Sequence, residues 1–284
     1  MRIVGWNIRA GGGRRAEALA GQLERWRADV VALSEFRGTL PSAGLAQALA
    51  EMGLPHQLHT ADPTALALNR LLLASRWPLR RLHRTDAPSE SGRWLLAAVD
   101  GPAPFAVGAL HVPNRVTGRK WPFLDAVLEV ARRWRGGPAL MIGDTNSGRP
   151  GIDEEVVGFN AREGGWVEAL ETAGWRDAFR HLSPRQRVYT WYSPNGGNGF
   201  RIDQAFVNPA LLPRLVDARY EWGRRRPGRS PTIALSDHAA LLVDLGEERG
   251  HRPLTRAGVS PIVTSRAAPV AKVRVGAPLR GGPS

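Results

Sequence analysis

The stretch FAVGALHVPN, Phe105 to Asn114, decides the fold of this chain. As far as Leu110 every position is apolar or small, so it reads as a strand covered on both faces rather than one with a wet side. It then meets His111, Pro113, which stops a strand, and Asn114. Taken alone, an imidazole or amide at a strand end caps a turn and means little. The ending recurs, however. RIVGWN closes on Asn7, DVVALSEF carries Glu35, ALMIGDTN delivers Asp144 and Asn146, FRIDQAFV contains Asp203, and HAALLVDL is opened by Asp237 and His238. If these runs pack side by side, their ends gather the polar groups in one place.

With RLLLAS and WLLAAVD, these runs outnumber the helices. Ala16, Leu19, Ala20, Leu23 and Arg27 fall at helical spacing, and GLAQALAEMG and WPFLDAVLEVARRW read as further amphipathic helices. Two packed sheets with helices outside is the α/β layout this implies. A doubly wound dinucleotide-binding sheet is the competitor, but RAGGGRR after the first run lacks the G-x-G-x-x-G spacing.

The chain has 284 residues and 43% hydrophobic content, enough for a sizeable core. It has no cysteine, which excludes disulfides, thiolate metal sites and thiol nucleophiles. The first apolar run is too short for a signal-peptide core and no later run is long enough to span a bilayer, so a soluble, cytoplasmic, monomeric protein is expected. The net charge is +13, almost all from arginine, since lysine occurs only at Lys120 and Lys272. A polyanionic partner fits that balance, as does a GC-rich coding habit. Residues 246–284, with seven basic and two acidic side chains and no periodicity, read as a disordered basic tail after one domain spanning residues 1–245.

Carboxylates and an amide without sulfur suit Mg²⁺ or Mn²⁺, hard cations that keep exchangeable waters. Glu35 is the first candidate ligand, with Asn7 and Asp237 completing or orienting the shell. Phosphodiester hydrolysis also needs a positioned water and positive density on the non-bridging oxygens. Asp144 and Asn146, two residues apart, can face one point and align the water. His238 supplies a donor to the phosphate, and Asp203 can hold its other ring nitrogen and favour the charged ring.

RIVGWN, SEF, HVPN, GDTN, FRID and LSDHA occur here in the order found in the endonuclease/exonuclease/phosphatase superfamily, which the chain resembles from Arg2 to Leu245. The resemblance implies a DNase I-like four-layer α/β sandwich, two packed mixed β-sheets flanked by helices. It implies metal binding by Asn7 and Glu35 with Asp237 near the shell, water activation by Asp144 and Asn146, and phosphate binding by His238 backed by Asp203. The stretch from GFNAREGG to FRIDQAFV resembles the exonuclease III and abasic-site endonuclease branch, in which Trp191, Phe200 and Ile202 would line a pocket for a flipped abasic sugar. The chain departs from that branch in having His111 where a tyrosine is usual, as in DNase I and the lipid and inositol members, and in a short segment from Ser147 to Gly158. His111 and Asn114 are expected to face the scissile phosphate.

RVTGRK and WGRRRPGRSP adjoin proposed site residues, so Arg115, Arg119, Lys120, Arg224, Arg225, Arg226 and Arg229 are candidate backbone-phosphate contacts. A solvated charge run explains each equally simply. The reading that gathers most of these features is a Mg²⁺-dependent phosphodiesterase acting on duplex DNA, of abasic-site endonuclease or 3′-exonuclease type. The alternatives are a phosphatase or phosphodiesterase of a small or lipid phosphate ester, and a nucleic-acid-binding module that has lost catalysis.

Overall fold

The computed structural model describes residues 1–223 and 234–246. The arginines at 224–229, Arg225 among them, and all of the proposed tail except Gly246 lie outside the described residues. One six-stranded sheet runs β13 (Leu215–Glu221), β14 (Ala240–Leu245), β1 (Arg2–Asn7), β2 (Val30–Phe36), β4 (Arg70–Ser75), β3 (His56–His59). The other runs β5 (Leu79–Arg81), β6 (Trp94–Val99), β7 (Phe105–His111), β8 (Ala139–Asp144), β12 (Asp203–Val207), β9 (Arg176–Asp177). A small ribbon pairs β10 (Trp191–Tyr192) with β11 (Gly199–Phe200). Each large sheet is mixed, with one parallel pair, β1 beside β2 and β7 beside β8.

Alternation within strands explains why so many runs are apolar on both faces. Ile3, Val30, Ala32, Leu71 and Leu73 from one sheet meet Val107, Ala109, Leu140, Ile142, Ala205 and Val207 from the other in a core between them. The intervening Val4, Trp6, Val31, Leu33 and Leu72 point the other way, under helices α1 (Ala16–Trp26) and α2 (Leu40–Glu51). On the far side, Leu96, Ala106, Leu110 and Met141 pack beneath α3 (Lys120–Arg132) and α4 (Ala161–Thr172). The four layers are thus helix, sheet, sheet, helix. The short α5 (Ala178–Leu182) joins the core between the sheets through Ala178 and Phe179. Among the described residues no helix is long and apolar enough to cross a membrane.

Two runs differ from expectation. FRIDQAFV is not one strand: Phe200 pairs with Trp191 in the ribbon, and pairing with β8 begins only at Asp203. The break falls at Arg201, whose fully buried guanidinium is held by Asp153 and Asp177, a charge network that fixes the backbone where a ladder would otherwise continue. HAALLVDL begins its ladder at Ala240, leaving His238 outside the strand in a single bridge to Trp191. The strand LVDARYE, β13, gave no signal because it lies at the sheet edge with a half-exposed, charged pattern.

Two glycines set the spacing near the strand ends. A Cβ at Gly5 would stand 2.6 Å from Ile142 Cγ1, so this position lets the two sheets approach closely. Gly143 has φ +149°, and a Cβ there would lie 1.9 Å from the Leu110 carbonyl oxygen. No side chain fits that backbone, which delivers Asp144. Gly143→Ala is therefore expected to lower stability by more than about 2 kcal/mol, read as a shift of the urea midpoint at unchanged slope.

Candidate functional site

The site is the polar continuation of the core. On β1 the inward positions run Ile3, Gly5, Asn7; on β7 Val107, Ala109, His111; on β8 Leu140, Ile142, Asp144; on β12 Val207, Ala205, Asp203. The same period of two that buries the apolar residues therefore aims the polar ones into the gap between the sheets. Registers align them. His111 pairs with Asp144 across β7 and β8, and Asp144 pairs with Asp203 across β8 and β12. All three are buried, as are Asn7 and His238.

Glu35 departs from this alternation. Pairing between β2 and β4 slips between Ser34 and Phe36, and Glu35 has φ +61°, so a bulge turns its side chain toward Asn7. The loop after β1 secures both residues. Arg9 and Ala10 are left-handed, at φ +54° and +53°. The Arg9 amide donates to Asn7 Oδ1 at 3.0 Å and the Ala10 amide to Glu35 Oε2 at 2.7 Å. With Oδ1 engaged, Asn7 Nδ2 donates to both carboxylates, Glu35 Oε1 at 3.3 Å and Asp144 Oδ2 at 3.1 Å. Such strained backbone gathers where side-chain placement matters more than local stability.

Asp144 Oδ2 is the common point. His111 Nε2 lies 3.7 Å from it and His238 Nε2 4.0 Å. His238 Nδ1 is 2.9 Å from Asp203 Oδ2. Burial disfavours the charged His238 ring, but the charge of Asp203 and its hydrogen bond, helped by Asp144 and Asp237, lift its pKa to about 10. Burial raises the Asp144 carboxyl, with Asp203 adding to it and the His238 charge opposing, to about 7. Burial, then the charges of Arg93 and His238, hold His111 well below its usual value, so its ring is neutral. Asp144, Asp203 and His238 offer ligand atoms within 4.8 Å of one another, a cluster that could hold a cation.

Asn146 stands beside Asp144 with φ +44°, its amide nitrogen donating to Asp144 Oδ1 at 2.9 Å and its side chain to the Val112 carbonyl at 2.8 Å. Asp237 sits at the rim, its carboxylate 3.8 Å from Arg9 Nε. Asn114 is exposed; with Arg115, Asn146, Phe159, Trp191 and Phe200 it lines a pocket of about 200 Å³. Ile202 lines that pocket too, and the Trp191 ring lies 6.4 Å from that of His238.

The basic loop behaves differently from the expectation. Lys120 is not a surface contact: it is 1% exposed, paired with Glu163 and donating to the Asn146 carbonyl. Burial lowers its pKa, and Glu163 works against that. Arg115 also grips Glu163, through Nε at 3.0 Å and through Nη2. Sequence reading missed Glu163, whose place in the capping box of α4 was visible in N-A-R-E, and Ser236, whose hydroxyl donates to the Asn7 carbonyl at 2.6 Å and ties the His238 segment to β1.

Several solved structures share the fold. A Neisseria 3′ phosphatase bound to a product DNA hairpin is 23% identical, with a TM-score of 0.70 over 86% of this chain and 99% of its own. An AP endonuclease from Archaeoglobus fulgidus is 19% identical, with a TM-score of 0.71 over 86% and 99%. Another, from Leishmania major, is 18% identical, with a TM-score of 0.67 over 87% and 88%. No curated protein sequence matches the chain. The family model for endonucleases, exonucleases and phosphatases matches residues 4–238, a span that holds every clustered side chain described above, and the chain belongs to that Endonuclease/Exonuclease/phosphatase family of phosphoester hydrolases.

Proposed function

We propose that the chain is a divalent-metal-dependent phosphodiesterase acting on DNA, of the abasic-site endonuclease or 3′-exonuclease type. The observation that carries this reading is the meeting of Asn7, His111 and His238 on the Asp144 carboxylate, beside the pocket walled by Trp191, Phe200 and Ile202. A charged imidazole and a carboxylate near its ionisation point then share one cleft, the pairing that hydrolysis of an anionic ester requires.

The donor set fits a hard cation. Glu35 and Asp144 are drawn together by one amide, every candidate donor is oxygen or imidazole, and the strained backbone at Glu35 aims it into the gap. Glu35 would hold Mg²⁺ or Mn²⁺, with Asn7 completing or orienting the shell and Asp237 at the rim, which leaves Asp144 for the water. Asp203 is committed to His238 Nδ1, and a protonated ring cannot ligate, so we assign that pair to the phosphate rather than to the metal. The bound cation would neutralise charge on the phosphoryl oxygens and lower the pKa of nearby water.

The protein groups supply the rest. Asp144 takes a proton from a water that Asn146 helps to hold, and the water oxygen attacks phosphorus as the ester oxygen departs. His238, held charged by Asp203, donates to a non-bridging oxygen where negative charge grows. His111, neutral and facing the same carboxylate, donates its one ring N–H to an oxygen of the same phosphate. The apolar pocket would take a sugar that has lost its base, which sacrifices little stacking when flipped. Asn114 and Arg115 at its wall, and Arg225 by its charge and its place before Asp237, would hold the strand. Among the relatives, the Neisseria and Archaeoglobus proteins are a DNA 3′ phosphatase and an AP endonuclease, which supports DNA over a small or lipid ester.

Abasic duplex, intact duplex, single-stranded RNA and small phosphate esters should be compared with Mg²⁺ and with EDTA. Cleavage of the abasic or 3′-end substrate, abolished by EDTA, is expected; turnover of a small ester alone would refute the DNA reading. Glu35→Gln and His238→Ala should each lower kcat by about 10²–10⁴-fold with folding retained, as followed by circular dichroism.

The Asp203–His238 pair gives a second test, readable without substrate. A ring lifted to about 10 contributes stability that is complete below its unfolded value near 6.5 and is lost as pH rises through about 10. In Asp203→Asn the imidazole titration, followed by NMR, should move down toward neutrality, and that stability should vanish at a correspondingly lower pH. An unchanged midpoint would remove Asp203 from the mechanism.

A further inference from the structure

A second pocket, of about 170 Å³, is lined by Asn69, Arg70, Glu90, Arg93, Thr117 and Arg119, among others. Three guanidinium groups face it against one carboxylate. Arg119 Nη1 lies 3.3 Å from both Glu90 oxygens. Arg93, partly buried, gives Nη1 to the His111 carbonyl at 3.4 Å. Arg70 Nε is buried without a hydrogen-bond partner. Among the described residues neither Arg70 nor Arg93 has a carboxylate oxygen within 4.0 Å. Asn69 accepts from Arg37 Nε at 2.7 Å through its carbonyl oxygen, which leaves its NH₂ group as the donor it can offer.

The backbone is cut away to seat this charge. A Cβ at Gly92 would lie 1.6 Å from Arg70 Nη1 and 2.6 Å from Cζ, so the guanidinium occupies the space a side chain would fill. Like charges brought together and partly desolvated are costly unless an anion joins them, and planar guanidinium forks match a phosphate better than water does. We propose that this pocket is a subsite for a second phosphate of the substrate, neighbouring the scissile one, with Arg70 as its principal ligand and Arg93 and Arg119 beside it. The inference rests on the reading of the chain as a DNA phosphodiesterase, and it names the DNA group that Arg70 and Arg93 hold, next to the backbone of His111. The second phosphate can be the next diester along the strand or a terminal monoester, both offering the same oxygens.

Arg70→Met tests it with a series of oligonucleotides: native, with a neutral methylphosphonate at the diester on either side of the scissile bond, and with or without a terminal phosphate. On the native substrate KM should rise about tenfold and kcat change less. On the one substrate whose neutralised or missing phosphate belongs in the pocket, wild type should already show the raised KM and Arg70→Met should add nothing; that substrate identifies the source. An equal penalty on every substrate, or no penalty on any, would overturn the proposal. Gly92→Ala, which displaces the guanidinium while leaving all three arginines in place, should repeat the pattern and guards against a folding defect in the first variant.

A measurement without turnover separates the two readings. In a His238→Ala background, inorganic phosphate should bind saturably by ³¹P NMR, and adding Arg70→Met should abolish the binding. Arg70-dependent binding in this background, together with a wild type that cleaves no DNA, would end the nuclease reading and keep an anion site. Cleavage together with binding indifferent to Arg70 would end the subsite alone.

Discussion

The carboxylate of Asp144 is the point on which the site turns. Strand register places it between His111 and Asp203, and the facing sheet supplies Asn7 to its second oxygen. Two sheets thereby contribute to one small volume, and neither could assemble it alone. The helices keep the sheets apart from solvent on the outside, and Gly5 lets them come close enough at Ile142 for Asn7 to reach across. A register slip of one residue in β8 would turn Asp144 toward α3 and α4 and bring Gly143 inward, so the same hydrophobic alternation that specifies the fold also specifies the chemistry.

Bringing these charges together is costly, and the structure offsets the cost locally. Asp144 and Asp203 are direct neighbours on adjacent antiparallel strands, where like charges destabilise. His238 answers both carboxylates at once, with one ring nitrogen on Asp203 and the other facing Asp144. That arrangement explains why burial, which alone would discharge the ring, does not prevail. His111 has the same ring in almost the same burial but has Arg93 and His238 as neighbours and no carboxylate in hydrogen-bonding contact. One sandwich end thus holds two histidines in opposite protonation states, separated only by which charges their strands bring near.

Much of this was legible from residues alone because strands carry a period of two. Counting inward from Ile3, Ala109, Ile142 or Val207 reaches Asn7, His111, Asp144 or Asp203 without any coordinates, and the two-sheet layout followed from runs apolar on both faces. Glu35 was found by its residue type, although the bulge that aims it left no mark in SEF. Lys120 misled. In RVTGRK it resembles a solvated cation, and only the fold brings it to the buried Glu163, a residue 43 positions away. FRIDQAFV misled for a related reason: its arginine is consumed by two aspartates far along the chain, and no local pattern announces a pairing of that kind.

The buried arginine network has a consequence for the site as well. Arg201 Nη1 reaches the Tyr220 hydroxyl at 3.2 Å, and that hydroxyl donates to the Asp203 carbonyl at 2.7 Å. Asp203 follows Arg201 by two residues, so the break in the strand is also the clamp that presents its carboxylate to His238. A continuous strand would have carried the ladder through Arg201 and left no reason for its side chain to turn inward. Replacing these charges by apolar groups of similar volume would cost the core little, since a buried ion network seldom contributes much net stability. It would free the backbone on either side of Ile202, and with it the geometry of the carboxylate that does most to keep the imidazole charged.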